Sequence, residues 1–379
     1  MFSRLYLHIP WCKAKCGYCA FHSHPVAGHD LHQTCTLLVQ EMELAATTFP
    51  GNQPLRSIYL GGGTPSLLTP HQVETLLQAS RRCFGHAADP EITLEANPGT
   101  VSLDSLCGYY QAGVTRLSLG VQSFNNRMLQ LLGRVHTADQ GRTAFKLARQ
   151  AGFSSIGLDL ICGLPEQTVA AWQQELQEAL ALQPDHLSIY GLTVEEETPF
   201  AAQYPKGKGL PDDDQTATML EQADTVLTQL GYEHYEIANF ARPGCHSQHN
   251  SGYWQRDGYL GIGPGAHSFL RQGWGIRWGN QGDYETWADA IRNNRLAVTE
   301  QQELTREEAL SEAIFLGLRM ADGISLNNFA EQFDEELEQR YAEEIRQLQQ
   351  AGLITYRSDR LALTKQGILL SNQVFVRFV

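Results

Sequence analysis

Along the first half of the chain, short apolar runs alternate with longer stretches in which apolar residues recur every three or four positions. Residues 4–9 alternate and predict a strand, which Pro10 ends because it has no amide to donate to a ladder. Over 31–46, Leu31, Cys35, Leu38, Met42 and Ala45 fall at helical spacing, and 56–60 is a short apolar strand running into Gly61-Gly62-Gly63-Thr64-Pro65. The unit then repeats, with strands over 91–95, 116–120, 155–162 and 186–193 and helices over 103–112, 138–151 and 170–182. Strands separated by helices imply a parallel sheet with right-handed crossovers, an α/β fold. Six such strands predict a partial (β/α)6 TIM-like barrel, assigned to residues 1–230.

Beyond the sixth strand the pattern changes. Residues 199–214 turn to Pro, Gly, Lys and Asp and read as a surface loop, and 215–230 is a helix with Leu220, Ala223, Leu227 and Leu230 inward. Residues 231–300 read as a small α/β extension dense in aromatics, glycines and histidines. Residues 301–379 read as a winged-helix-like domain: helices over 306–320, 326–333 and 335–351, a hairpin of 353–356 with 360–363, and a last helix opening at Thr364. Such modules often bind DNA, but Glu335, Glu336, Glu338, Glu343 and Glu344 make the third helix acidic, so a packing or docking role is expected instead.

Charge supports that exclusion across the chain. With 28 Lys and Arg against 42 Asp and Glu, the net charge of -14 repels phosphate backbones and anionic headgroups, so nucleic acid and bare membrane are not expected partners. The sequence has no run of 18 apolar residues and no signal-peptide layout, so a cytoplasmic location is expected. Eight cysteines fit a reducing compartment, where Cys35, Cys83, Cys107 and Cys162 read as ordinary buried residues.

The remaining cysteines carry the chemistry. In Cys12-Lys13-Ala14-Lys15-Cys16-Gly17-Tyr18-Cys19 three thiolates are spaced to hold three irons of a 4Fe-4S cube, leaving the fourth iron open, whereas zinc sites normally close with four protein ligands. An open iron suits a chelating amine and carboxylate, and S-adenosylmethionine (SAM) supplies both. The first strand ends at these cysteines, and the glycine run, Glu95, Gln122 and Asp159 fall at the ends of other strands, where barrels of this kind place their chemistry. The glycine run is neither a Walker loop nor G-x-G-x-x-G; it reads either as a close approach of backbone to ligand or as a tight turn. A second unusual stretch includes Cys245, His246, His249, Tyr253, Trp254, Tyr259 and His267. Imidazole beside aromatic faces suits haem, although an aromatic cap with a hydrogen-bonded histidine fits the same residues, and Cys245, His246 and His249 imitate a zinc site lacking a fourth ligand.

The spacing C-x3-C-x2-C, with an aromatic before the last Cys, resembles the radical SAM superfamily. Tyr6-Leu7-His8-Ile9-Pro10-Trp11-Cys12 is similar to its coproporphyrinogen dehydrogenase-like branch, and within it the chain resembles the HemW-type haem chaperones over nearly its whole length. The resemblance implies a 4Fe-4S cluster on Cys12, Cys16 and Cys19, and SAM flanked by Tyr6 and Tyr18. It carries contact with SAM onto Gly62, Gly63 and Thr64, onto Glu95 with its amide partner Gln122, and onto Arg134 and Asp159. His249-Asn250-Ser251-Gly252-Tyr253-Trp254 matches the H-N-x-x-Y-W motif of haem-binding HemW proteins and names His249 as the haem ligand, with His267 near it on a loop folded over the cofactor mouth. The last domain has the layout of the HemN-type C-terminal domain.

The function implied is a haem chaperone. It would bind haem and deliver it to an acceptor haem protein, membrane-bound or respiratory, and so sit peripherally at the inner membrane through its partner; a homodimer is compatible with its surface. The alternative is an oxygen-independent coproporphyrinogen III dehydrogenase, in which reductive cleavage of SAM yields a 5′-deoxyadenosyl radical. That enzyme carries a further Cys where this chain has Phe21, and a long N-terminal extension where this chain reaches Tyr6 almost at once. A haem-degrading radical SAM methyltransferase is the third reading. One departure is Ala20, where members of the group usually have Asp.

Overall fold

Strands β1 (Arg4–Ile9), β2 (Leu55–Gly62), β3 (His86–Ala96), β4 (Arg116–Gln122), β5 (Ser155–Cys162) and β6 (His186–Gly191) lie side by side, each parallel to the next. The structure is a computed structural model and describes residues 1–50 and 53–379. Helices α1 (Leu31–Thr48), α2 (Pro70–Phe84), α3 (Leu103–Ala112), α4 (Asn126–Leu132), α5 (Ala138–Gln150) and α6 (Val169–Ala181) make the crossovers of a partial barrel. Local sequence sets several starts: Thr69, Ser102 and Thr137 each accept from the amide three residues on, whose side chain reaches back, closing a capping box. Helix α4 is not among the helices expected from the sequence; at seven residues it is too short for periodicity to reveal.

Successive strand residues face opposite sides, and here the two sides differ in chemistry. Leu5, Leu7 and Ile9 of β1, Ile58 and Leu60 of β2 and Leu117 and Leu119 of β4 are fully buried and pack with Leu38 and Met42 of α1 and Val73 and Leu76 of α2. Burial of each such side chain stabilises by about 1.5–3 kcal/mol. The alternate positions face the lumen and are polar: Tyr6 pairs with Tyr59, Glu95 with Ser118, and Asp159 with Ser188 across neighbouring strands. The lumen is therefore lined with groups that bind.

Residues 231–300 extend the barrel sheet at both edges. Strands β7 (Glu233–Glu236) and β8 (Asn239–Ala241) continue the sheet antiparallel beyond β6, while β9 (Tyr259–Ile262) pairs parallel with β1 and leads to β10 (His267–Leu270), β11 (Ile276–Asn280) and β12 (Val298–Glu303). One sheet results, in the order β12-β11-β10-β9-β1-β2-β3-β4-β5-β6-β8-β7. The sheet runs past the expected end at residue 230 because the open edges of β1 and β6 present unpaired backbone groups.

After α7 (Asp213–Gln229), helix α8 (Gln248–Trp254) lies under the N-terminal ends of the strands. The amides of Gln248 and His249 donate to the Glu91 carboxylate, at 2.9 Å each, and Arg4 donates to the Gln248 carbonyl at 2.6 Å. A Cβ at Gly252 would stand 1.7 Å from the Arg4 guanidinium, so only glycine lets this helix seat.

The C-terminal region has its own core, built from Leu310, Ile314, Phe329, Phe333 and Leu361 among others. Its strands β13 (Ile324–Ser325), β14 (Ile354–Arg357) and β15 (Arg360–Leu363) form a small sheet in the order β13-β15-β14. The single helix expected over 335–351 is two, Leu337–Arg340 and Ala342–Gln350, broken at Tyr341, whose ring packs edge-on against Phe378. Among the described residues no helix is long and apolar enough to cross a membrane.

Candidate functional site

Pro10 ends β1, and the next two residues, Trp11 and Cys12, pair in parallel with His24 and Pro25, closing the cysteine loop on itself. Trp11 anchors the loop: it is fully buried, donates from Nε1 to the Thr34 hydroxyl at 2.9 Å and meets the Tyr284 ring edge-on. On the other side the Gly17 amide donates to the Leu132 carbonyl at 3.2 Å, and the Phe200 amide donates to the Gly17 carbonyl at 3.0 Å. Cys12, Cys16 and Cys19 thereby line a cavity of about 440 Å³ at the C-terminal mouth of the barrel.

Two polar side chains reach the sulfurs. The Thr64 hydroxyl donates to Cys12 Sγ at 3.5 Å, and Arg134 Nη1 donates to Cys16 Sγ at 3.6 Å. Arg134 also donates from Nη2 to the Gly120 carbonyl at 2.5 Å, while its buried Nε meets no protein partner among the described residues. Burial pushes the Cys19 thiol up. All three sulfur-bearing residues line the same cavity, and three thiolates can ligate three irons of one 4Fe-4S cluster.

Opposite them stand two carboxyls in the polar lumen. Glu95 accepts from the Tyr59 hydroxyl at 2.8 Å and from the Gly62 amide at 3.2 Å. Burial lifts its pKa to about 7, Asp159 nearby adds to the rise, and the two donors oppose it. Asp159 accepts from the Ser118 hydroxyl at 3.0 Å and is likewise raised by burial, against the Ser188 and Ser118 hydroxyls. A cation entering here would find two buried carboxyls ready to ionise beside it, which suits the amino and sulfonium charges of SAM.

The glycine run serves the protein's own packing. Gly62 has φ +107°, and a Cβ there would stand 2.5 Å from the His8 ring; one at Gly63 would stand 2.6 Å from the Trp11 carbonyl. The end of β2 is thus pressed against the cysteine loop, and Gly62, Gly63 and Thr64 line the cavity. Gln122 holds φ 66° where the β4–β5 register shifts, a left-handed conformation rare outside glycine, and lines the same mouth.

The structure brings together Cys12, Cys16, Cys19, Tyr18, Gly62, Gly63, Thr64, Glu95, Gln122, Arg134 and Asp159. Two expected residues lie elsewhere. Tyr6, expected to flank the same ligand as Tyr18, lines a neighbouring cavity of about 630 Å³, where His8 Nδ1 engages its hydroxyl at 3.0 Å. His249, expected as a haem ligand, lines neither cavity. It is 1% exposed; Nδ1 meets the Ser57 hydroxyl at 2.9 Å and Nε2 the Tyr253 hydroxyl at 2.7 Å. Burial and the neighbouring Arg4 charge hold its pKa down at about 3, so it is a neutral imidazole with both nitrogens occupied. Tyr253 and Trp254 of the same motif do line the second cavity, and so does His267.

Cys245, His246 and His249 do not converge. His246 pairs with Glu233 at 2.6 Å and stacks on Tyr235. Sequence reasoning missed Tyr59, Ser118 and Tyr190 in the first site and Arg256, Arg277 and Glu312 in the second cavity. For Tyr59 and Ser118 the signal was present: each is the polar member of an alternating strand pair in a region where buried parallel strands are ordinarily apolar on both faces.

Residues 6–179 match the family described as the Radical SAM superfamily, and residues 304–370 match the HemN C-terminal domain. Over 376 residues the chain is 36% identical to the Heme chaperone HemW of Bacillus subtilis, covering 99% of this chain and 98% of that protein. It is 44% identical over 264 residues to the Heme chaperone HemW of Escherichia coli, covering 69% of each. The solved structure of coproporphyrinogen III oxidase (HemN) from Escherichia coli, described as a radical SAM enzyme, superposes with a TM-score of 0.86 at 27% identity, over 100% of this chain and 90% of that one.

Proposed function

We propose, because the chain belongs to the HemW family of radical SAM proteins, that it is a haem chaperone, binding haem and passing it to an acceptor protein. The observation that carries this reading is the end-to-end identity with the Heme chaperone HemW of Bacillus subtilis. The acceptor we assign to the membrane-bound or respiratory haem proteins, which a chain without an apolar membrane-crossing helix among its described residues would meet from the membrane surface.

The cofactors of the radical SAM family are a 4Fe-4S cluster and SAM, and the residues at the barrel mouth fit both. When bound, the cluster supplies one electron and an open iron for the amine and carboxylate of SAM. Cys12, Cys16 and Cys19 would hold it, with Arg134 balancing thiolate charge beside Cys16. Glu95 and Asp159 would face the cationic part of SAM, and Gln122 and the Gly62–Gly63 backbone would orient it. Phe21, 67% exposed at the rim, offers an apolar contact where the coproporphyrinogen dehydrogenases have a further Cys.

A second reading, an oxygen-independent coproporphyrinogen III dehydrogenase, is favoured by one observation, the superposition on HemN. The two readings part on haem. The chaperone reading expects the purified chain to bind haem with a Soret band and to give it up to an apo-haem protein on mixing. Haem that is not taken up, or is retained in the presence of every acceptor offered, contradicts it.

A further inference from the structure

The second cavity lies against the first and shares Phe21, Gly62 and Glu95 with it, yet no residue expected for the cluster or SAM other than Tyr6, Gly62 and Glu95 reaches it. Its volume, about 630 Å³, is that of a small-molecule site. One wall is a sheet face. Phe269 of β10 pairs with Tyr259 of β9 and with Arg277 of β11, and His267 stands two residues from Phe269 on the same face. Opposite His267 is Gly279, where a Cβ would stand 3.1 Å from the imidazole, so the glycine leaves the ring room. His267 is exposed, and its ring nitrogens meet no protein partner among the described residues.

The charge on this wall opposes the charge of the chain. Arg256 and Arg277 share one carboxylate, Glu312, and both guanidiniums lie over the Phe269 ring, at 5.3 and 5.7 Å. Two cations on one anion leave a positive excess in a chain of net charge -14. Two further acids line the cavity: Asp257 is taken by Arg4 at 2.7 Å, and Glu95 accepts from the Tyr59 hydroxyl and the Gly62 amide. Arg256 is 7% exposed and its Nε has no partner among the described residues; the Nε of Arg277 and the indole N–H of Trp254, in residues that line the cavity, are likewise buried without a partner among the described residues. The Arg277 side chain, 38% accessible, presents its guanidinium to the cavity, where a ligand bearing carboxylates would pair with it.

We propose, resting on the haem-chaperone reading, that this cavity is the haem seat: the macrocycle lies against the aromatic wall of Phe269, Tyr259 and Tyr253, whose two tyrosine rings meet edge-on at 4.5 Å, His267 faces the iron, and Arg256 and Arg277 take the porphyrin carboxylates. His267 and Arg277 stand diagonally across two strands, separated by roughly 7 Å or more. Iron and carboxylates in haem are likewise several ångströms apart. The motif around His249 then serves the seat by presenting Tyr253 and Trp254, with His249 behind them as a positioning residue.

The test is an anaerobic titration of the full chain, cluster reconstituted, with ferric haem, followed by the Soret band. Arg277→Gln, at a half-exposed site on a strand, should weaken haem binding about tenfold or more. His267→Ala, at an exposed site, should shift the Soret maximum as well as weaken binding. An iron porphyrin with both carboxylates esterified should bind the parent chain no better than it binds Arg277→Gln. Melting temperature and cluster absorbance, unchanged in both variants, separate these effects from unfolding. Haem binding by the parent chain that both variants reproduce in affinity and spectrum overturns the seat and leaves the chaperone reading intact. A parent chain that binds no haem overturns the reading itself, and the seat with it.

Discussion

The Nε2 of His249 lies 2.7 Å from the hydroxyl of Tyr253, one turn further along the same short helix, while its Nδ1 meets Ser57 on the barrel floor. The imidazole is thus a strut between barrel and cavity wall. His249→Ala would leave the Ser57 and Tyr253 hydroxyls without this partner and open a void, a loss of about 2–4 kcal/mol in unfolding free energy. Tyr253→Phe removes one bond and should cost less, about 1–3 kcal/mol. Urea denaturation of both variants checks the order. A His249→Ala chain as stable as the parent would contradict the strut.

The same burial makes His249 an acid-sensitive point. Its folded pKa, about 3, lies below the ordinary histidine value of 6.5, so the unfolded chain binds a proton that the folded chain refuses. The stabilisation is fully present above pH 6.5 and is lost as pH falls toward 3, about 2 kcal/mol of it between pH 7 and pH 5. His8 and His136, each held down at about 4 chiefly by burial, act in the same direction. Denaturation midpoints of the parent and His249→Gln at pH 7 and pH 5 should show the shallower fall in the variant.

The barrel was readable because its signal is periodic. Six apolar strands with helices between them leave few alternatives, and the cysteine spacing has one strong chemical meaning. The short strands after residue 231 were not readable. β7 and β8 are four and three residues long, and what recruits them is the open edge of β6, a tertiary fact. His249 illustrates the same limit: its motif was recognisable, but its direction depends on Ser57, 192 positions earlier, meeting its ring. Arg256, Arg277 and Glu312 carry no local pattern and gain meaning only where β11 and the helix Arg306–Gly317 bring them together.

Replacing Cys12, Cys16 or Cys19 by Ser should abolish the broad visible absorption of a reconstituted cluster, because each would remove one iron ligand. Haem uptake should persist in these variants, since none of the three cysteines lines the second cavity. Iron analysis and haem titration on one preparation check both statements.

Glu41, 1% exposed, accepts from the Gly263 amide at 2.8 Å, the Asn280 side-chain amide at 2.6 Å and the Trp287 indole at 3.0 Å. Burial lifts its pKa to about 7 against those three donors. Glu41→Ala would strand all three in the interior and should cost about 3 kcal/mol or more, read from denaturation. Glu41→Gln, which keeps an acceptor, should cost less.

The central claim is that the chain carries haem and does not oxidise coproporphyrinogen. The direct measurement is to reconstitute the cluster anaerobically, add SAM, dithionite and coproporphyrinogen III, and assay protoporphyrinogen formation beside a haem titration of the same preparation. Haem binding with no decarboxylated product is the predicted result. Protoporphyrinogen formed on catalytic turnover would contradict it and would show that Phe21, in place of a further Cys, does not prevent that chemistry.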